Sequence, residues 1–491
     1  MLLAEDPNGH HGGGGVLDHD GLSIDDSIPI HPMGIKPLGN LFFANTPNAR
    51  RYTGIVGQLP DEMILHLLEY LDVTSLRKLA STCRFLYAFG QLDELWKALF
   101  LESPIAPEEK GLVWKGTWKA TYLNIPAEAQ SRIDCSNIFS DVLHRPFACS
   151  HIALEKYAST IPASNKISRL ANLPYDDFAQ NWSNTPFILT DCIPTWPVCH
   201  EWNIQQLRRD FSHVSFRAEA VDWPFSLYHE YMCENDDESP LYLFDRWFVE
   251  KMNITIGSQD DSVYWPPDCF GPDLFEVLGT ERPAHRWLIV GPARSGSTFH
   301  KDPNATSAWN AVAQGSKYWI MFPPSSQVPG VFVSEDSSEV TSPLSIAEWL
   351  LEFHAEARQL PGCIEGVCKA GEILHVPSGW WHLVVNLEPG IALTQNFVPK
   401  SHLTDVLSFL KNKPDQVTGF KRAIDSPFEL FVQRLEQNYP ELLNEALGEL
   451  NQRSERKKRK WEEAVGTKTE ESNGSGGFSF GFAEEDEEEV P

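Results

Sequence analysis

GPARSGSTFHKDPNATSAWNAVAQGSKYWIMFPP at residues 291–324 and VPSGWWHLVVNLEPGIALTQNF at 376–397 set short apolar runs between Gly, Pro, Ser and Asn. Runs of that length bounded by turn residues read as β-strands. Outward from them the same texture continues in PFILTD (186–191), HVSFRA (213–218), LYLFD (241–245), RWLIVGP (286–292) and EILHVP (372–377). At least eight short strands with no regular helices between them predict an antiparallel barrel or jelly roll.

Inside these strands the polar residues stand out. His300 and Asp302 form H-K-D just after RWLIVGP and its turn. Alternation along an extended chain sends both side chains to one face, about 7 Å apart at the backbone. His382 follows Trp380-Trp381 between two strands, where a closed barrel brings it opposite the pair. Two histidines and a carboxylate make the facial triad of non-haem iron, with open positions for a cosubstrate and dioxygen. Lys317 opens the run YWIMFPP; pointed into the barrel, its cation requires an anion, which a bound dicarboxylate supplies. The alternative is an ordinary lysine at a strand start. Asn310 in SAWNAV, and Thr394 and Asn396 in LTQNFV, must each find a hydrogen-bond partner in a ligand or in a core network.

Forty Lys and Arg stand against 68 Asp and Glu, a net charge of −28, and EEDEEE at 484–489 accounts for only six of those acids. An acidic body argues against coating of phosphate backbones through net charge. The nine cysteines are odd in number and scattered, which reads as reduced thiols in an intracellular protein. No apolar run approaches the roughly 20 residues of a membrane span.

Residues 1–57 hold a Gly run, several prolines and little apolar periodicity, so a mobile leader is expected there. The texture changes in LPDEMILHLLEYLDVTSLRKLASTCRFLYAFGQLDELWKALFL, Leu59 to Leu101. Pro60 suits a first helical turn, and Ile64, Leu67, Leu68 and Leu71 keep helical spacing. A second helix carries Leu76, Leu79, Cys83 and Leu86, and a third starts at Asp93 with Leu95, Trp96 and Leu99. Residues 103–180 read as a connector packed between modules. After the strands, 402–411 and 427–450 look helical; their apolar faces suit a cover for the barrel or a seam with a second copy, a homodimer.

The two quoted segments resemble the Jumonji-C oxygenases, and within them the phosphatidylserine-receptor-like subgroup of lysyl hydroxylases and arginine demethylases. The likeness reaches back through SPLYLFD at 239–245 and spans about 186–400. It implies an α+β chain with a double-stranded β-helix, of the cupin or jelly-roll kind, over 181–400. It also implies Fe(II) held by His300, Asp302 and His382, and 2-oxoglutarate cradled by Lys317, Thr394, Asn310 and Tyr242, with O2 as the oxidant. Asn396 joins that cradle. Ser297 stands where close relatives carry a cosubstrate-touching Thr, which keeps the hydroxyl and loses a methyl contact. Residues 58–102 resemble an F-box, through the LP start, Cys83-Arg84 and Trp96, which implies docking onto a Skp-type adaptor of a cullin ubiquitin ligase.

Helices at 401–450 and a disordered tail at 451–491 complete the expected organisation. The basic run RSERKKRK, 453–460, is read as a nuclear import signal ahead of the acidic end. Together these features predict a nuclear protein hydroxylase or demethylase with an appended F-box, acting on a basic protein such as a histone tail or another Arg/Lys-rich chain. The rival is an inactive barrel serving as substrate receptor of a ubiquitin ligase. A chain relieved of catalysis has no physical need for two histidines, an aspartate and a lysine converging on one cavity.

Overall fold

The computed structural model describes residues 28–102, 111–130, 132–257, 261–334, 339–343 and 345–470. From Leu59 the chain makes four helices where three were expected: α1 (Asp61–Glu69), α2 (Val73–Ala80), α3 (Arg84–Phe89) and α4 (Asp93–Glu102). The expected second helix divides because the Ser81 and Thr82 hydroxyls donate to the Lys78 and Leu79 carbonyls, both at 2.7 Å. Cys83 then turns extended, at φ −155° and ψ 163°. Hydroxyls that compete for helix carbonyls are good terminators.

The four helices are not a free-standing module. Ile64, Leu68, Phe89, Trp96 and Phe100 share one apolar core with Trp114 and Trp118 of the connector and with Trp223 and Tyr231 of the strand-rich half. Trp118 begins α5 (Trp118–Tyr122), and its indole N–H donates to Asp237 at 2.9 Å while Tyr231 donates to the same carboxylate at 2.7 Å. The expected leader needs correction over 28–57. Ile35 and Ala49 are buried, Lys36 N–H donates to the Ile138 carbonyl at 3.1 Å, and Asn48 donates to the Phe139 carbonyl at 2.8 Å. Its partners lie far along the chain, so no local period announces them. Residues 1–27 of that reading lie outside the described residues.

Ten strands build the two faces of the barrel: β1 (Phe187–Leu189), β2 (Leu243–Asp245), β3 (Arg286–Gly291), β4 (Gly296–His300), β5 (Ser307–Gln314), β6 (Ser316–Phe322), β7 (Ile364–Lys369), β8 (Ile373–Val376), β9 (Trp381–Asn386) and β10 (Gly390–Phe397). The larger sheet runs β1-β8-β5-β10-β3-β2 and is extended at both edges by short strands; the smaller runs β7-β6-β9-β4. Every pairing among these ten is antiparallel, as expected. Helices absent from the sequence reading do intervene: Phe225–Cys233, for example, buries Tyr228 and Tyr231. Gly296 is required where β4 meets β9, since a Cβ there would stand 2.0 Å from the Val384 carbonyl oxygen.

The C-terminal helices are α6 (Leu403–Asn412), α7 (Pro427–Asn438) and α8 (Pro440–Glu470). Leu407, Phe431, Leu435 and Leu443 bury themselves against Leu274, Phe275 and Leu278 of the same chain. They pack as a cover on that segment of their own chain, and none of the exposed large apolar side chains lies on these helices among the described side chains, which end at Arg459. The tail also needs correction: α8 continues through the basic run to Glu470. Its residues are good helix formers on an already nucleated helix, and Arg453 reaches Asp405 at 2.6 Å. Residues 471–491 lie outside the described residues.

Candidate active site

His300 closes β4 and His382 is the second residue of β9, and the two are direct cross-strand partners, so their rings meet at 4.1 Å. Asp302 follows in the turn, held by residues in unusual backbone states: Asn304 and Ala305 have φ of +56° and +55°. Asn304 is clamped to Thr418 by two hydrogen bonds of 3.0 Å, which maintains a conformation that costs energy for L side chains. The three side chains open onto one cavity of about 610 Å³, whose wall also includes Tyr242, Ser297, Asn310 and Thr394.

The hydrogen bonds set the chemistry of each group. His300 Nδ1 faces the Thr298 carbonyl at 2.8 Å and His382 Nδ1 faces the Trp380 carbonyl at 3.1 Å. Each Nδ1 is thereby the protonated nitrogen and each Nε2 keeps its lone pair. Burial, reinforced by neighbouring His300, pushes the His382 pKa well below the usual imidazole value, so that ring is neutral. Asp302 Oδ1 accepts from Asn396 at 3.2 Å, whereas its buried Oδ2 has no hydrogen-bond partner. Burial raises its pKa to about 6 against the lowering influence of His300 and Asn396.

Among the described residues no group of three His, Cys, Asp or Glu side chains is already gathered closely enough to hold a metal ion. Two imidazole lone pairs and a carboxylate oxygen repel one another, and a cation reverses that sign. The donor set, two nitrogens and one orphaned carboxylate oxygen, fits Fe(II).

Lys317, the second residue of β6, is 2% exposed and donates to the Tyr242 hydroxyl at 2.5 Å. Burial lowers its pKa to about 7. It stands behind Tyr242 and is not itself on the cavity wall. Asn310 Oδ1 is buried without a partner, while Thr394 donates to the Trp309 carbonyl at 2.9 Å. Asn396 differs from the expectation: both its amide hydrogens are taken, by Asp302 and by Thr306 at 2.8 Å. It orients the carboxylate while lining the same cavity.

Residues 209–402 match the family described as Cupin-like domain, and residues 56–102 match the one described as F-box-like. The chain is 37% identical over 446 residues to "Arginine-specific demethylase JMJ22" of Arabidopsis thaliana, covering 86% of each protein. The chain belongs to the Jumonji-C oxygenases. It is 31% identical over 325 residues to "Bifunctional arginine demethylase and lysyl-hydroxylase psr-1" of Caenorhabditis elegans, covering 61% of this chain and 75% of that one. It is 27% identical over 286 residues to "2-oxoglutarate and iron-dependent oxygenase JMJD4" of Danio rerio, covering 52% of this chain and 64% of the relative.

Seen as a Jumonji-C site, the cavity includes residues that the sequence reading passed over. Trp319 lines it with a buried indole N–H that has no partner; in the run YWIMF it looks like core. Behind the cavity wall, Asn386, cross-strand partner of Lys317, donates to Ser295 at 3.0 Å and keeps a buried, unpartnered oxygen. A polar residue in the apolar strand HLVVNL carries the same signal that singled out Asn310. At the mouth stand Phe244 and Trp287, with ring centroids 5.4 Å apart, and the carboxylates of Glu219 and Glu238.

Proposed function

We propose that this oxygenase acts on basic side chains of a protein, with His300, Asp302 and His382 holding Fe(II), and Tyr242, Lys317, Asn310, Thr394 and Ser297 cradling 2-oxoglutarate. The observation that carries the reading is the buried, partnerless Oδ2 of Asp302 beside two imidazoles whose Nδ1 atoms are already committed. When bound, iron with 2-oxoglutarate and dioxygen supplies the oxidation that converts a substrate C–H, with cosubstrate and O2, to C–OH, succinate and carbon dioxide.

The chain's own residues bind, orient and exclude water. Lys317, deprotonation-prone while buried beside a phenol, regains a full charge when a carboxylate comes within reach, and the Tyr242 hydroxyl shares that carboxylate. Asn396 fixes the plane of Asp302. The Phe244–Trp287 wall suits the methylene stem of lysine or arginine. Glu238 is already paired with Arg145 at 2.9 Å, so Glu219 is the carboxylate that meets the substrate cation. Glu219 itself holds φ of +49° and accepts the Tyr242 N–H at 3.0 Å, which ties the substrate end of the cavity to the cosubstrate end.

Lysyl hydroxylation of a histone tail or another Arg/Lys-rich protein is the proposed reaction. Mass spectrometry of lysine- and methylarginine-containing peptides after turnover tests it: a stable one-oxygen gain on lysine is expected. Formaldehyde release with loss of methyl from arginine would replace hydroxylation by demethylation, the chemistry in the names of two relatives. Met63 and Leu67 on α1 and Tyr70, which caps it, are 49%, 51% and 77% exposed on one face, and we assign that face to a Skp-type adaptor. The basic stretch of α8, with Arg456, Lys458 and Arg459 exposed, supports a nuclear location.

A further inference from the structure

A second cavity, of about 380 Å³, lies behind the metal-facing end of the larger sheet. Arg246, Arg282, Arg286 and Lys421 line it with His285 and Trp247, and Glu250 is its single carboxylate. In a chain of net charge −28 such a local excess of cations is an exception that calls for a counter-charge. Arg282 is ion-paired away from the cavity with Asp273, yet its buried Nε has no hydrogen-bond partner. Arg286 reaches Glu250 only at 3.9 Å. Arg246 and Lys421 lie 5.2 and 5.6 Å from the Trp247 ring centre, and no described carboxylate pairs with either. Cation–π contact with that indole holds both heads in place. His285, turned by its Nδ1 toward the Pro283 carbonyl at 3.2 Å, is kept neutral by burial and by Arg282 and Arg286, which lower its pKa to about 3.

The two cavities share a wall. Trp287 lines the catalytic one and the preceding residue, Arg286, lines the other; on the neighbouring segment Phe244 of β2 lines the first and Arg246, in the turn just past that strand, lines the second. Asn396, whose side chain holds Asp302, is gripped from behind: its N–H donates to the His285 carbonyl at 2.6 Å and its carbonyl accepts from Arg282 at 3.4 Å. Arg286 is the first residue of β3, so the shared wall ends there, and an extended peptide passing over that rim covers a span on the order of 10 Å in about three residues.

We infer that this second cavity is a substrate subsite that takes an anionic side chain, a phosphoryl group in the first place, lying about three residues from the basic side chain being oxidised in the same polypeptide. Guanidinium forks from Arg246 and Arg286 match phosphoryl oxygens two at a time, and Lys421 adds a point charge. The subsite rests on the protein-substrate reading proposed above, and the two fail separately. Anisotropy titrations of the full chain compare a basic lysine peptide carrying phosphoserine three residues before or after the lysine with its unphosphorylated twin. The phosphopeptide is expected to bind about tenfold more tightly or better. Arg246→Ala combined with Lys421→Ala erases that preference and leaves the twin's affinity where it was. Inorganic phosphate alone is the second probe, raising the melting temperature of the wild-type chain and not of the double variant. A preference that survives in the double variant, or phosphate stabilisation equal in both proteins, overturns the subsite. Phosphate stabilisation confined to the wild type, with no peptide of either kind bound, keeps the anion site and discards the protein substrate.

Discussion

Asp302 presents one carboxylate oxygen to Asn396 and one to nothing, and the division assigns separate roles to the two residues. Asp302→Ala removes a metal ligand, so iron content and 2-oxoglutarate turnover fall to background while the circular dichroism spectrum is retained. Asn396→Ala leaves the ligand but frees its plane; iron affinity is expected to drop about 10- to 100-fold, read by metal titration without any turnover assay. Lys317 offers a sharper test of the cradle. With its ammonium removed, a buried carboxylate is left unpaired, at a cost of about 2–5 kcal/mol, or roughly 30-fold or more in 2-oxoglutarate affinity. Lys317→Arg is expected not to rescue it, because a planar fork does not fit a space shaped for an ammonium beside Tyr242. Unchanged cosubstrate affinity in Lys317→Ala would show that Tyr242 alone suffices.

Strand β7 carries a buried charge cluster in the barrel wall. Glu365 is fully buried; it accepts from Arg358 at 2.8 and 2.9 Å and from Tyr318, with His354 at 3.3 Å. Burial alone would raise its pKa, but the hydrogen bonds from His354, Arg358 and Tyr318 outweigh it and hold the carboxyl at about 2. A depressed folded value means stability that is complete above the ordinary value of 4.5 and is lost as the pH falls through the window down to about 2. Glu365→Gln should cost about 3–5 kcal/mol at neutral pH, since it leaves the Arg358 charge unmatched; chemical denaturation at pH 7 and pH 3 measures both effects, and the difference between wild type and variant should narrow at the lower pH. On α1 the expectation is the reverse. Met63→Glu with Leu67→Glu touches an exposed face, so thermal stability stays within about 0.5 kcal/mol of wild type while binding to purified adaptor is abolished. Intact adaptor binding would assign those side chains to plain surface.

An aromatic seam joins the F-box to the strand-rich half in one shared core. Separable modules would let the F-box be removed without consequence for the oxygenase, but Trp118 is fully buried between α4 and the strand-rich half and bonds Asp237. Trp118→Ala is therefore expected to destabilise by about 3–5 kcal/mol and to lower the melting temperature of the oxygenase and the F-box in a single transition. Two transitions, with only the first displaced, would show that the seam does not couple them.

Residue type and local period were enough to predict most strands of the barrel, with β7 (Ile364–Lys369) passed over, and to single out H-K-D, His382 and Lys317 as candidates, because a polar group in a two-residue apolar alternation is conspicuous wherever it occurs. Tyr242 came only with the family resemblance, and Asn386 carried the same local signal unnoticed. Trp319 carried none, since an indole N–H in an apolar run is indistinguishable from core until its surroundings are known. The same holds for Glu219 and Glu238 at the mouth, for the docking of 28–57 onto Ile138 and Phe139, for Asn396 turning toward Asp302, and for the cations around Trp247. Each depends on which distant segment arrives opposite, and that is fixed by loop closure and packing of the whole chain. Neighbouring residues dictate which face a side chain takes along its own strand; only the folded barrel dictates what that side chain meets.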